Sequence, residues 1–186
     1  MSEKIRISDL GDPQLSDLQK MARDYGEGLS LNMSSSSILE DASLRTGLDD
    51  FGSMDFVGRL EMWLGEVAQD PDRLGIGNLS LRNSCVRYVA NRLLTQDLLR
   101  RHPEIHDIKI ERPIIIVGLP RTGTTHLLNV LSADERLRSM PLWESYEPIP
   151  LSNQATNSAG VDPRYTRCAK EWEQMQMVTP HVALMH

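Results

Sequence analysis

The chain has 186 residues, room for one domain or one and a fraction, with 40% apolar residues and a formal net charge of −6 from 20 Lys and Arg against 26 Asp and Glu. That composition is ordinary for a soluble globular protein and excludes a disordered one, and its acidic balance argues against nucleic acid as a partner. The longest purely apolar run, Ile114-Ile115-Ile116-Val117, is far short of the roughly 20 residues of a membrane-spanning helix, and MSEKIRISDL has no apolar signal-peptide segment, so a cytoplasmic location is expected.

Residues 1–111 read as helical. Leu15, Leu18, Met21 and Ala22 predict an amphipathic helix over 12–24. A second is expected over 37–46, opened by a Ser37–Glu40 capping box and closed at Gly47. Phe56, Val57, Leu60, Trp63, Leu64 and Val67 mark a third over 54–68, stopped at Asp70-Pro71-Asp72. The fourth, 80–101, carries Val86, Val89, Ala90, Leu93, Leu94 and Leu98 on one face. Its arginines, Arg82, Arg87, Arg92, Arg100 and Arg101, fall largely off that face and are expected to be solvated. Cys85 and Cys168 are too few for a disulfide framework or a zinc site and are expected as free thiols in a reducing compartment.

The period then changes. After His102-Pro103, four consecutive β-branched residues between Pro113 and Gly118 predict a strand buried on both faces, as in parallel sheets. Helical spacing returns from Thr124 to Leu131. Residues 152–160 read as a polar loop and 162–178 as a helix bearing Tyr165, Trp172, Met175 and Val178.

The strand–turn–helix at 114–128 carries the chemistry. The N–H groups of such a turn and of the first helical residues lack intrahelical partners and converge where the helix dipole is positive, so they suit an anion. Gly123 allows close backbone approach, Thr122, Thr124 and Thr125 add hydroxyls, and Arg121 adds a planar cation matched to phosphate or sulfate oxygens. Gly118 and Gly123 have the spacing of the nucleoside-triphosphatase P-loop, with Thr125 at its Ser/Thr position. Thr124, however, stands where that motif has the Lys that reaches the β- and γ-phosphates. Two alternatives stay open: a P-loop nucleotide-binding or kinase-like segment, and a non-catalytic helical interaction module built on residues 12–101.

Gly118-Leu119-Pro120-Arg121-Thr122-Gly123-Thr124-Thr125 resembles the 5′-phosphosulfate-binding loop of sulfotransferases that use 3′-phosphoadenosine 5′-phosphosulfate (PAPS), and Ala42–Gly52 with Arg101–Ile105 resembles their bacterial, particularly actinobacterial, branch. The resemblance implies an α/β, P-loop-like fold: a parallel sheet flanked by helices, with residues 1–111 as a helical preface and 112–186 as the start of the PAPS-binding domain. It further implies that Pro120, Arg121, Thr122, Gly123, Thr124 and Thr125 hold the donor, with Arg121 also catalytic at the bridging oxygen. No metal is expected, and the acceptor would be the hydroxyl of a small molecule or lipid. Glu144, in Leu142-Trp143-Glu144, is the candidate general base, with surface pairing as its alternative; Glu147 comes second. His181, His186 and, as an adenine-stacking residue, His126 are further possibilities. Relatives continue with strands bearing the Arg and Ser that grip the 3′-phosphate, so the chain is expected to be the N-terminal part of such an enzyme.

Overall fold

The computed structural model describes residues 11–120, 122–151 and 160–182. Seven α-helices occur among these residues: α1 (Asp17–Glu27), α2 (Ser35–Thr46), α3 (Asp55–Ala68), α4 (Gly75–Arg101), α5 (Thr124–Ser132), α6 (Leu142–Tyr146) and α7 (Pro163–Val178). A 3-10 turn, Pro103–Asp107, follows α4.

The core is built on α4, whose apolar face is buried as its spacing predicts. Cys85, Val86, Val89, Ala90 and Leu93 pack with Ile38 and Ala42 of α2 and Leu64 of α3. Burial raises the Cys85 thiol above its ordinary pKa, and both cysteines are free. Leu94 and Leu98 are only half-buried.

Two local expectations are corrected. Ser37 lies inside α2; the cap is Ser34, whose hydroxyl accepts from the Ser37 N–H at 3.2 Å. Gly47 does close α2, in the left-handed region at φ 70°. A complete capping box forms instead on α1, where Ser16 and Gln19 bond reciprocally. The arginines of α4 are not all solvated either. Arg82 donates to the Asn32 carbonyl, Asp41 and Ser37, and Arg92 donates to the carbonyls of Phe51 and Ser53. Both tie α4 to neighbouring segments, whereas Arg100 and Arg101 pair with Asp97 at the exposed end.

Helix α1 meets the start of α4 backbone to backbone. A Cβ on Gly26 would stand 2.2 Å from the Ile76 nitrogen, and one on Gly75 would stand 2.2 Å from the Gly26 carbonyl oxygen. An alanine in a helix ordinarily stabilises by up to about 1 kcal/mol. Here the clash reverses the sign: Gly26→Ala is expected to lower stability by about 2 kcal/mol, by forcing α1 off α4. Denaturant unfolding followed by circular dichroism checks this, with an exposed glycine substitution such as Gly65→Ala as the contrasting, neutral-to-stabilising case.

Residues 113–118 depart from expectation. They form neither helix nor paired strand, and no strand is present among the described residues. Ile115 and Val117 are 77% and 87% exposed. A parallel strand buries both faces only when further strands flank it and helices cover it, and the described residues provide neither. Helix α5 forms as its period predicts, but its Leu127, Leu128 and Val130 remain exposed beside this segment.

Candidate functional site

The turn between the β-branched segment and α5 has the geometry of an anion cradle. Thr122 closes it, its N–H and hydroxyl both donating to the Leu119 carbonyl at 3.3 and 2.7 Å. Gly118 lies tightly beneath: a Cβ there would come within 2.8 Å of Thr122 Oγ1 and 2.9 Å of Thr124 Cγ2. Gly123, at φ 90°, turns the chain into α5 through the left-handed region that glycine adopts without strain.

No side chain caps α5. Its first intrahelical bond is Leu127 N–H to the Gly123 carbonyl at 3.0 Å, so the N–H groups of Thr124, Thr125 and His126 precede the ladder, at the positive end of the dipole. Thr122, Gly123, Thr125 and Pro120 are exposed and Thr124 is half-buried. The structure thus brings together five of the six residues expected to hold the donor; Arg121 lies outside the described residues. His126 is an exposed first-turn residue and His181 is also exposed, while His186 and most of the polar loop, 152–159, lie outside the described residues.

The two carboxylates proposed from the sequence have different surroundings. Glu144 sits on α6, a short helix that the sequence reading missed. Its Oε2 accepts from Arg138 Nη2 at 2.6 Å, and the Glu144 side chain is 22% exposed against 74% for Arg138. Its Trp143 neighbour does not stand free beside it: the Arg164 guanidinium stacks on that ring at 4.7 Å. Glu147 is the hub of a clamp. Oε1 accepts from Arg45 of α2 at 2.7 Å, Oε2 accepts from Arg167 of α7, and its carbonyl accepts from Arg164 at 2.9 Å. With both oxygens engaged by guanidinium groups, Glu147 fastens α6 to α2 and α7. It is placed as a structural group, which takes it out of contention as the base. Arg45, Arg138, Arg164 and Arg167 were missed in the sequence, because long-range arginine–carboxylate pairs leave no periodic signal.

Asp162 starts α7. Its carboxylate accepts from the Arg164 N–H at 2.8 Å and from the Arg164 guanidinium, and that guanidinium hydrogen bond holds the carboxyl below its ordinary pKa. A group depressed in the folded state contributes stability above the unfolded carboxylate value of about 3.9, and this is lost as pH falls through the folded value. Asp162→Asn keeps a capping oxygen but loses the charge-assisted bonds to the Arg164 guanidinium, so it should cost about 1 kcal/mol at neutral pH and flatten the stability profile below about pH 4. Thermal melts across pH 2.5–7 would show both effects.

Among the described residues, no group of three His, Cys, Asp or Glu side chains is arranged to hold a metal ion, and no helix is long and apolar enough to cross a membrane.

Comparison with known proteins bears on the same segment. The family model described as "Sulfotransferase family" matches residues 113–185, which include the cradle, α5, α6 and α7. The crystal structure of the sulfotransferase STF1 from Mycobacterium tuberculosis H37Rv is similar with a TM-score of 0.63 at 26% identity, over 82% of this chain and 40% of that one. No curated protein sequence matches the chain. Residues 113–185 thus match the sulfotransferase family model, and the fold is similar to that of the corresponding part of this bacterial sulfotransferase. It spans 40% of the length of its structural relative.

Proposed function

We propose that the chain contributes the donor site of a sulfotransferase that moves a sulfuryl group from PAPS to a hydroxyl of a small-molecule or lipid acceptor. The observation that carries this reading is the uncapped start of α5 behind Gly118 and Gly123, within the segment that the sulfotransferase family model matches. On this reading residues 1–111 are a helical region and 112–186 open the PAPS-binding α/β domain, whose sheet would include residues 113–118. Two free thiols suit a reducing, cytoplasmic setting.

The roles follow from charge and geometry. The N–H groups of Gly123, Thr124 and Thr125 and the hydroxyls of Thr124 and Thr125 would hold the 5′-phosphate, with Thr122 closing the turn through the Leu119 carbonyl and Pro120 shaping it. Arg121 would pair with the phosphate and the bridging oxygen, where negative charge grows as the S–O bond breaks. The acceptor oxygen attacks sulfur in line, one S–O bond forms as the other breaks, and 3′-phosphoadenosine 5′-phosphate (PAP) departs. The hydroxyl proton would pass to Glu144, which must first exchange Arg138 for the acceptor hydroxyl.

Thermal melts of the chain with PAP test the proposal, with ATP and magnesium alongside. Ligand at 100 times its Kd stabilises by about 2.7 kcal/mol. PAP is expected to raise the melting temperature by several degrees, and ATP is not, because Thr124 replaces the triphosphate-binding Lys. A shift with ATP alone would favour the P-loop nucleotidase reading. A cooperative melt unmoved by either nucleotide would favour the helical interaction module.

A further inference from the structure

Two stretches of backbone lie open to pairing. From Lys109 to Gly118 no N–H or carbonyl takes part in a hydrogen bond among the described residues, and the same holds for Arg138, Ser139 and Met140. A groove of about 580 Å³ runs between the two stretches, lined by Ile114 and Ile116 from the first, Met140 from the second, and Leu128 and Leu131 of α5. Successive residues of an extended segment face opposite ways. Ile114 and Ile116 line the groove, whereas Ile115 and Val117 do not and are the more exposed.

A groove with unpaired backbone along both walls and leucines from a helix between them suits an extended apolar chain, held by main-chain bonds and by alternate side chains. Residues 113–118 are themselves such a chain. Four β-branched residues stand in a row, and no charge falls between Pro113 and Pro120 to guard the edge. Entered antiparallel about a two-fold axis, the segment of each copy fills the groove of the other, so both edges of each segment are paired and the assembly closes at two. Centring the axis on Ile115 sets Ile114 opposite Ile116 of the second copy on the α5 face, and Ile115 opposite its own equivalent on the other. Arg112 then faces Gly118, so no like charges meet. At about 100 Å² for a fully exposed aliphatic side chain, residues 114–119 and the bare face of α5 offer roughly 450 Å² per copy. With the backbone edges added, the pair reaches the roughly 1,000 Å² of a specific interface.

We propose that the groove between residues 111–116 and 137–140 is a homodimer interface, occupied by the Ile114–Val117 segment of a second copy of this chain. The pairing supplies the flanking strands that a doubly buried segment needs. It requires no nucleotide, so masses measured without PAP test it apart from the donor-site reading.

The test is sedimentation equilibrium of the full chain with Ile115→Lys and Ile115→Glu. The parent is expected at twice its 21.0 kDa, with a micromolar dissociation constant. Ile115 is 77% exposed and outside the core, so both variants should keep the parent's helical circular dichroism. Each sets like charges opposite each other and should raise the constant at least tenfold, while an equimolar mixture, with Lys facing Glu, should recover most of the loss. A monomeric parent overturns the proposal and leaves the groove to some other chain. Undiminished dimerisation in both single variants, or a mixture no tighter than either, overturns it as well. Should a variant lose its helical signal, hydrogen exchange of the parent decides: the amides of Ile114–Val117 must gain protection as concentration rises, and fast exchange at every concentration contradicts the pairing.

Discussion

Gly118→Val should reduce PAP affinity about 100-fold or more while leaving the α1–α4 helical cluster intact. A Cβ at this position already reaches 2.8 Å from Thr122 Oγ1 and 2.9 Å from Thr124 Cγ2, and the two methyls of valine extend further. Thr122 would have to give up its bond to the Leu119 carbonyl, which closes the turn. Losing two or three charge-assisted hydrogen bonds to phosphate costs about 3 kcal/mol or more, which is about 100-fold in Kd. Arg121→Ala removes the proposed cation and should weaken PAP by a similar factor. The core lies on α2, α3 and α4, so the melt of either variant without ligand should match that of the parent. Calorimetric titration checks the affinities, and unchanged PAP binding in Gly118→Val would mean that the nucleotide sits elsewhere.

The second large effect is expected at Glu147. Its side chain is 14% exposed and engages Arg45 and Arg167 at once. Glu147→Ala leaves two guanidinium groups facing each other without their common partner. Breaking a buried pair from one side costs about 3–5 kcal/mol. Because both arginines are more than a third exposed, water recovers part of that, and about 2 kcal/mol is expected. The loss should be local: amide exchange in Pro163–Val178 should accelerate, while the buried stretch of α4 stays protected. Glu144→Gln should leave stability within about 0.5 kcal/mol, since its partner Arg138 is 74% exposed. A larger loss at Glu144 than at Glu147 would reverse the assignment of clamp and candidate base.

How far the sequence could be read depends on the range of the interactions. Long amphipathic helices were legible, because one apolar stripe facing one core suffices to define them: α3 falls close to its expected bounds, α4 ends where expected but starts five residues earlier, at Gly75, and Val86, Val89, Ala90 and Leu93 are buried as expected; α7 also falls close to its expected bounds although it buries no residue. The cap of α2 was misplaced because four consecutive serines offer equivalent hydroxyls, and the backbone turn at Ser34 decides among them. Helix α6 has five residues, too few to show a period. The Arg82 and Arg92 ties depend on carbonyls that are distant in sequence and were misread as a solvated face. Ile114–Val117 has the composition of a doubly buried strand, but a strand exists only through its neighbours, and their positions are not written in its own residues. The turn at Leu119–Thr122 and the start of α5 at Thr124 were legible because the glycines, the threonines and the returning helical period are all local.

The claim that residues 118–125 are a phosphosulfate site is tested most directly by two-dimensional amide NMR of the chain titrated with PAP. The account predicts saturable shifts of the Thr122, Gly123, Thr124 and Thr125 amides, absent with ATP and magnesium and lost in Arg121→Ala. PAP shifts confined to other segments, or equal responses of these four amides to ATP, would contradict it.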